Sequence, residues 1–193
     1  MFSVYLVPGC KNGSTQEDSV DSAIAINDSS RNATDSTLNQ AALKKDSMVV
    51  DKNSSDFVVN AASGGMMEVK LGKIAEKKAV SERVRNFAKM IVRDHTIANR
   101  DLKSRANSEK ITLPASISND QQKMIDDIDK KTGKAFDKAF ISMMVKGHQQ
   151  VLSAFKMAAV NCKNHSIREF AVKTIPIIEK HLDSAKAINE INF

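Results

Sequence analysis

From Asp56 onward, apolar residues recur at a 3.6-residue period, the pattern of amphipathic helices. The first stripe runs Phe57, Ala61, Gly64, Glu68, Leu71 and Ala75, with Ser54 or Ser55 as its N-cap. A second follows Ser81 and carries Val84, Phe87, Ile91, His95, Ala98 and Leu102, ending near Lys110. Leu113-Pro114 interrupts the pattern, because proline disfavours helix in the residue before it. Ser118 and Gln121 then form a capping box that opens a third helical region. Thr132-Gly133 breaks or kinks that region, and its second part carries Phe136, Phe140, Met144, His148, Val151 and Phe155. After the loop 161–164, Ser166 and Glu169 form another capping box, and a last stripe holds Phe170, Thr174, Ile177, His181, Ser184 and Ile188.

Four such segments of roughly 24–30 residues are about 36–45 Å long at the helical rise. Short connections make consecutive helices antiparallel neighbours, so the pattern predicts an all-α, up-down-up-down four-helix bundle over residues 56–190.

Residues 11–55 have a different texture, rich in Ser, Asn, Asp and Thr, with no sustained apolar period. Such a segment buries too little apolar surface to offset the entropy of ordering, so it is expected to be a disordered linker. Residues 1–10 read as an atypical lipoprotein-like signal: an apolar stretch, then Pro8-Gly9, then Cys10 ahead of the polar tail. No basic residue precedes the apolar stretch, so the true start is expected to lie upstream. Cys10 is the expected lipidation site, tethering the domain to an envelope membrane.

Composition narrows the function. The 193 residues contain 7 Gly, 3 Pro and no Trp, which disfavours Gly-loop nucleotide folds and strand-rich sandwiches. Two cysteines make neither a disulfide framework nor a four-Cys zinc site. The net charge of +6 is uneven, with five basic against seven acidic residues up to Ser55 and 24 against 16 beyond it. The basic residues alternate with acids at helical spacing and lack interleaved aromatics, so they read as solvated helix faces and not as a nucleic-acid surface. No Ser-His-Asp set, Walker motif or Gly-rich phosphate loop is present, so no nucleotide is expected either.

Chemistry enters where polarity interrupts the apolar stripes. Glu68, His95, His148 and His181 lie near the middles of their helices, on the core-facing sides. In an antiparallel bundle these positions come to one height, bringing together three imidazoles and a carboxylate. That set suits a single divalent transition metal such as zinc, iron or copper, with Asp94 and Glu179 positioned to orient imidazole nitrogens. The same residues would also satisfy one another as a metal-free polar network, in a structural module that binds an unidentified envelope partner. Carboxylates are too few for two metals, since Leu71 follows Glu68 at +3, and Val92 and Ile178 precede His95 and His181 at −3. A di-iron oxidoreductase is therefore not expected. Met66-Met67 and Met143-Met144 read as core filler, although methionine with histidine would suit copper. Cys162, beside Lys163, carries a mild reason for reactivity. Pro176 is expected to kink the last helix and free a carbonyl near the site.

Phe57 to Gly72 (FVVNAASGGMMEVKLG), Met90 to Asn99 (MIVRDHTIAN), Leu113-Pro114, Ala135 to His148 (AFDKAFISMMVKGH) and Thr174 to Ala185 (TIPIIEKHLDSA) together resemble a bacterial envelope family. It is the ferritin-like domain-of-unknown-function family 4142, whose members carry outer-membrane or periplasmic labels. The resemblance covers residues 56–190 in order. It implies a ferritin-like bundle exported to the periplasm behind a signal or lipoprotein sequence, and it matches the family pattern at Glu68, Asp94, His95, His148 and His181. Gly147 departs from that pattern, which commonly has Asp before the histidine. The resemblance implies no established activity; with the polar residues above, the expected role is metal storage, sensing or stress protection in the periplasm or at the outer membrane.

Overall fold

The structure is a computed structural model that describes residues 18–38 and 50–192. Cys10 and the rest of the signal-like segment lie outside the described residues, as do 11–17 and 39–49 of the linker. Among the described residues the chain is all-helical, with six helices: α1 (Ser19–Leu38), α2 (Lys52–Lys78), α3 (Glu82–Ser108), α4 (Asn119–Asp129), α5 (Gly133–Asn161) and α6 (His165–Asn192).

Local chemistry explains most boundaries. α4 opens with the expected capping box, in which Ser118 accepts from the Gln121 backbone and Gln121 accepts from the Ser118 backbone. The break at Thr132-Gly133 also stands, since Gly133 sits at φ 57°, which a glycine adopts without strain. α2, however, starts a turn earlier than Ser54 or Ser55. Its cap is Asp51, whose carboxylate accepts from the Ser54 backbone and from the Lys163 backbone of the α5–α6 turn. The Ser166–Glu169 box does not form. Asn164 Oδ1 accepts from the Ile167 backbone instead, and Arg105 of α3 donates to Ser166 and Glu169.

The linker reading fails over Ser19–Leu38 and Lys52–Ser55, which are helical. The apolar period misses α1 because polar bonds hold it. Asn27 donates to the Thr112 carbonyl and accepts from the Thr112 backbone N–H, and Ser19 accepts from the backbone of Ala115 and Ser116. Arg31 donates to Ser55, and Lys52 pairs with Asp28. Among the side chains of this helix that the structure describes, only Ala23 and Asn27 are buried.

Helix directions follow from which residues meet. Gly65 lies against Asn99, Glu68 against His95 and Gly72 against Val92, so α2 and α3 run oppositely. Phe57 meets Phe155, Glu68 meets His148, and the Val80 backbone meets Asp137, so α5 also opposes α2. Phe155–Phe170 and His148–His181 make α6 antiparallel to α5. The four long helices therefore run up-down-down-up, correcting the up-down-up-down expectation. The cause is α4, which is not part of a turn. Ser63–Gln121, Lys70–Gln122 and Lys78–Asp129 contacts lay it alongside α2, carrying the chain back along the molecule before α5 begins.

The core is divided in two. One cluster gathers Leu71, Phe87, Ile91, Phe136, Phe140 and Met144, and the other gathers Val58, Leu102, Phe155, Ile167, Phe170 and Ile178. Between them, at mid-helix on α2, α3, α5 and α6, lie Glu68, His95, His148 and His181, all buried. On α6 the inner face carries Ile178, whereas Ile177 is exposed, because Thr174, His181 and Ala185 set that face. Pro176 and Val172, the residue whose carbonyl a proline at 176 deprives of its helical donor, both lie on the outside. The freed carbonyl is thus not near the polar layer. Cys162 is buried rather than loop-exposed, and burial pushes its thiol up, which removes the reason for reactivity.

Asp51 joins α2 to the α5–α6 turn. Burial is the largest influence on its carboxyl and raises it, but the Ser54, Lys163 and Asn164 donors together outweigh burial and hold it below the usual range. The stabilisation is therefore complete above pH 3.8, the ordinary value, and is lost as the pH falls through the depressed one. Asp51→Ala should cost about 1–2 kcal/mol at neutral pH. It should also flatten the acid limb of the stability curve, as read by urea unfolding from pH 7 down to pH 3.

Candidate metal centre

Each long helix delivers one polar side chain to the dividing layer. Glu68 Oε2 accepts from His95 Nδ1 at 3.0 Å, and Glu68 Oε1 lies 3.5 Å from His148 Nδ1. His148 Nδ1 also donates to the Met144 carbonyl at 3.0 Å. His148 Nε2 stands 3.3 Å from His181 Nδ1, and His181 Nε2 donates to Asp94 Oδ2 at 3.1 Å. Arg93 holds Asp94 in turn, with Nε donating at 2.6 Å.

Acceptors fix the protons. A carbonyl and a carboxylate only accept, so the hydrogens of neutral His148 and His181 sit on Nδ1 and Nε2 respectively. The nitrogens left over, His148 Nε2 and His181 Nδ1, then face each other with two lone pairs and no proton between them. His95 uses Nδ1 toward Glu68, and its Nε2 is buried without a partner. One nitrogen from each of the three rings lies within 4.8 Å of those of the other two.

Electrostatics supports this assignment. Burial, the largest influence on each, pushes His148 down and His181 to about 4, so both are neutral at pH 7. Burial also acts most strongly on Glu68, raising it, but His95 and His148 together outweigh it and hold the carboxyl at about 2. For His95, burial lowers and Glu68 raises, with Glu68 and Asp94 prevailing.

The structure therefore brings together Glu68, His95, His148, His181 and Asp94, as the sequence predicts, but alters their roles. Glu68 does not lie alongside the imidazoles as a fourth inward donor. Its oxygens stand behind them, taken up by their Nδ1 atoms. Asp94 does orient an imidazole. Glu179 does not, because it pairs with Lys156 on the surface at 2.9 Å. Glu179 follows Ile178 and precedes His181 by two, and that offset turns it away from the layer. The Met144 carbonyl was invisible to side-chain reasoning, since a backbone acceptor leaves no signature in residue type. At Gly147 the departure from the family pattern costs no contact, because the Met144 carbonyl already holds His148.

These residues sit within a recognised family. Its model, described as a domain of unknown function (DUF4142), matches residues 39–188. The chain belongs to that family. No curated protein and no solved structure matches it.

Glu68 is the buried anion on which two imidazoles depend. Removing it leaves His95 Nδ1–H buried without an acceptor. Glu68→Ala should cost about 3–5 kcal/mol of stability in chelator-treated protein. Glu68→Gln keeps an acceptor and should cost roughly half as much. Denaturant unfolding of both variants checks this, and equal losses would remove the hydrogen bond from the account.

Proposed function

We propose that the chain is a ferritin-like four-helix protein of the bacterial envelope that holds one transition-metal ion on His95, His148 and His181, for storage, sensing or stress protection. The observation that carries the reading is the 3.3 Å approach of the two nitrogens of His148 and His181 that are left without hydrogens, with His95, whose Nε2 is buried without a partner, in the same cluster. A purely structural network would place a hydrogen there. A cation is the complementary occupant.

The donor set fits. Imidazoles suit zinc, copper or ferrous iron and not magnesium or calcium. His148 and His181 are neutral, while His95, which Glu68 holds toward its protonated form, would release a proton on binding. A tetrahedral site with metal–nitrogen bonds of about 2.1 Å has nitrogens about 3.4 Å apart. The His148–His181 separation is already there, and the 4.8 Å limit on the others asks a modest inward shift of His95. Glu68, Asp94 and the Met144 carbonyl supply the outer partners that fix tautomer and ring orientation. Three protein ligands leave one coordination position open.

The envelope location and the lipid anchor rest on the apolar stretch before Cys10, the polar segment after it and the family resemblance. Mass spectrometry of the membrane-extracted protein should find acyl chains on Cys10, and Cys10→Ser should release the protein from the membrane fraction. An unmodified cysteine would remove the anchor from the proposal.

Elemental analysis of gently purified protein should find about one equivalent of zinc, copper or iron per chain. His148→Ala should abolish it. Asp94→Asn, which keeps the ligands and loses only the anion behind His181, should weaken affinity about 10–100-fold. Metal-free protein whose melting temperature ignores all three ions would leave a structural, partner-binding module in its place.

A further inference from the structure

Next to the polar layer, the lower half of the core is not filled. A cavity of about 130 Å³ begins at His95 and Glu68 and extends between Leu102, Phe155, Phe170 and Ile178. Interiors are normally close-packed, and a void forfeits contacts on every side of it. Its size is close to that of cavities of roughly 150 Å³ that stay dry and take up benzene or xenon.

The polar groups on its wall are mostly engaged elsewhere. The Thr174 hydroxyl donates to the Phe170 carbonyl, and the Asn60 amide donates to the Asp56 carbonyl. Glu68 is committed to its two imidazoles. That leaves His95, nine-tenths buried, whose Nε2 has no partner. The wall offers carbon surface with two polar points, His95 and the Asn99 amide, and His95 is already paired with Glu68.

Asn99 lies one turn beyond His95 on α3. It is common to this cavity and to a surface pocket of about 870 Å³ that Met66, Lys103 and Asn107 help to line. Its amide lies across α2 at Gly65, where an added Cβ would stand 2.0 Å from Asn99 Oδ1. Glycine is therefore what lets the amide close against the α2 backbone. Asn99 is thus a side chain that both spaces share.

We propose that this cavity binds a small, uncharged, largely apolar molecule of up to one aromatic ring, admitted past Asn99 and presented to the metal layer at His95. The claim rests on the metal reading for what the molecule meets, the open coordination position, while its binding needs only the cavity.

The test uses the full chain, first stripped of metal, with benzene and benzoate as probes and the His95 ring resonances as readout. Benzene should shift those resonances saturably, and benzoate should bind at least tenfold more weakly. Ala98→Leu and Ala154→Leu, which fill the cavity, should each weaken benzene at least tenfold. Asn99→Ala should speed association several-fold with less change in affinity. Xenon needs no substitution and should compete with benzene on the wild type. Unmoved His95 resonances, benzoate binding as well as benzene, filled variants that bind normally, or failure of xenon to compete would each overturn the inference. After reloading with Cu(II), benzene should perturb the visible bands of the metal, and unchanged bands would detach the cavity from the centre. Metal binding without benzene binding sinks this inference alone, whereas benzene binding without metal keeps the cavity and sinks the centre.

Discussion

A buried carboxylate organises this fold. Moving an anion the size of Glu68 out of water costs several kcal/mol even after the protein relaxes, and only close, directional partners offset that. Glu68 finds one on α3, where His95 donates at 3.0 Å, and stands 3.5 Å from His148 of α5, whose Nδ1–H goes to the Met144 carbonyl. Beyond His148 the layer reaches His181 of α6 across the 3.3 Å gap that holds no proton, and hydrogen bonds then lead from His181 to Asp94 and out to Arg93 at the surface. One continuous chain of polar contacts thus ties all four long helices together at a single height. Apolar side chains above and below slide past one another at little cost, whereas a one-residue slip here would strand a charge in hydrocarbon. The layer therefore sets the register between the two halves of the core.

The chain's path explains how one layer can be assembled from such distant residues. α2 and α3 form one hairpin, α5 and α6 another, and each hairpin brings two polar residues to its own inner face. What must be arranged is the meeting of the hairpins. α4 does this by running alongside α2 and delivering the chain to the end where α2 gives way to α3. There Asp137, buried at the start of α5, accepts from the Val80 and Ser81 backbones at 3.1 and 2.8 Å. That clasp fixes where α5 starts relative to α2, and the spacing from 137 to 148 then brings His148 level with Glu68. α1 braces the opposite end through Asn27 and Ser19, which hold the segment leading from α3 into α4.

The helices, the inner faces and the level of the four polar residues could be read from periodicity, because burial of a helix stripe is a local property. Direction could not. Loop length is a poor proxy for topology: the sequence marks an interruption at Leu113-Pro114 and a helical region opening at Ser118, but not that the 24 residues between α3 and α5 form a crossover. α1 was missed for a related reason: its attachment is made by side-chain amides and hydroxyls to backbone atoms, and no apolar count registers those. At the centre, residue types were enough to gather Glu68 with the histidines. Their roles needed coordinates, since ligand and orienting group differ only in which atom faces inward. Glu179 shows the limit of proximity in sequence, because two residues along a helix is nearly half a turn away.

The same contacts that make the layer rigid also leave it incomplete. Every outward ring nitrogen has an acceptor: Glu68 for His95, the Met144 carbonyl for His148 and Asp94 for His181. These acceptors force the inward nitrogens of His148 and His181 to be lone pairs, and burial keeps a second proton off both rings. A layer built for stability alone would do better with one ring reversed, donating across the 3.3 Å gap, or with leucine in its place. Reversing either ring, however, would break its bond to Met144 or Asp94. The outer groups therefore hold the inner ones in an arrangement that is unfavourable without an electrophile. The unfilled space beside His95 is a second departure from best packing, in contact with the first. Two such costs at one place are what the proposal of a binding centre rests on.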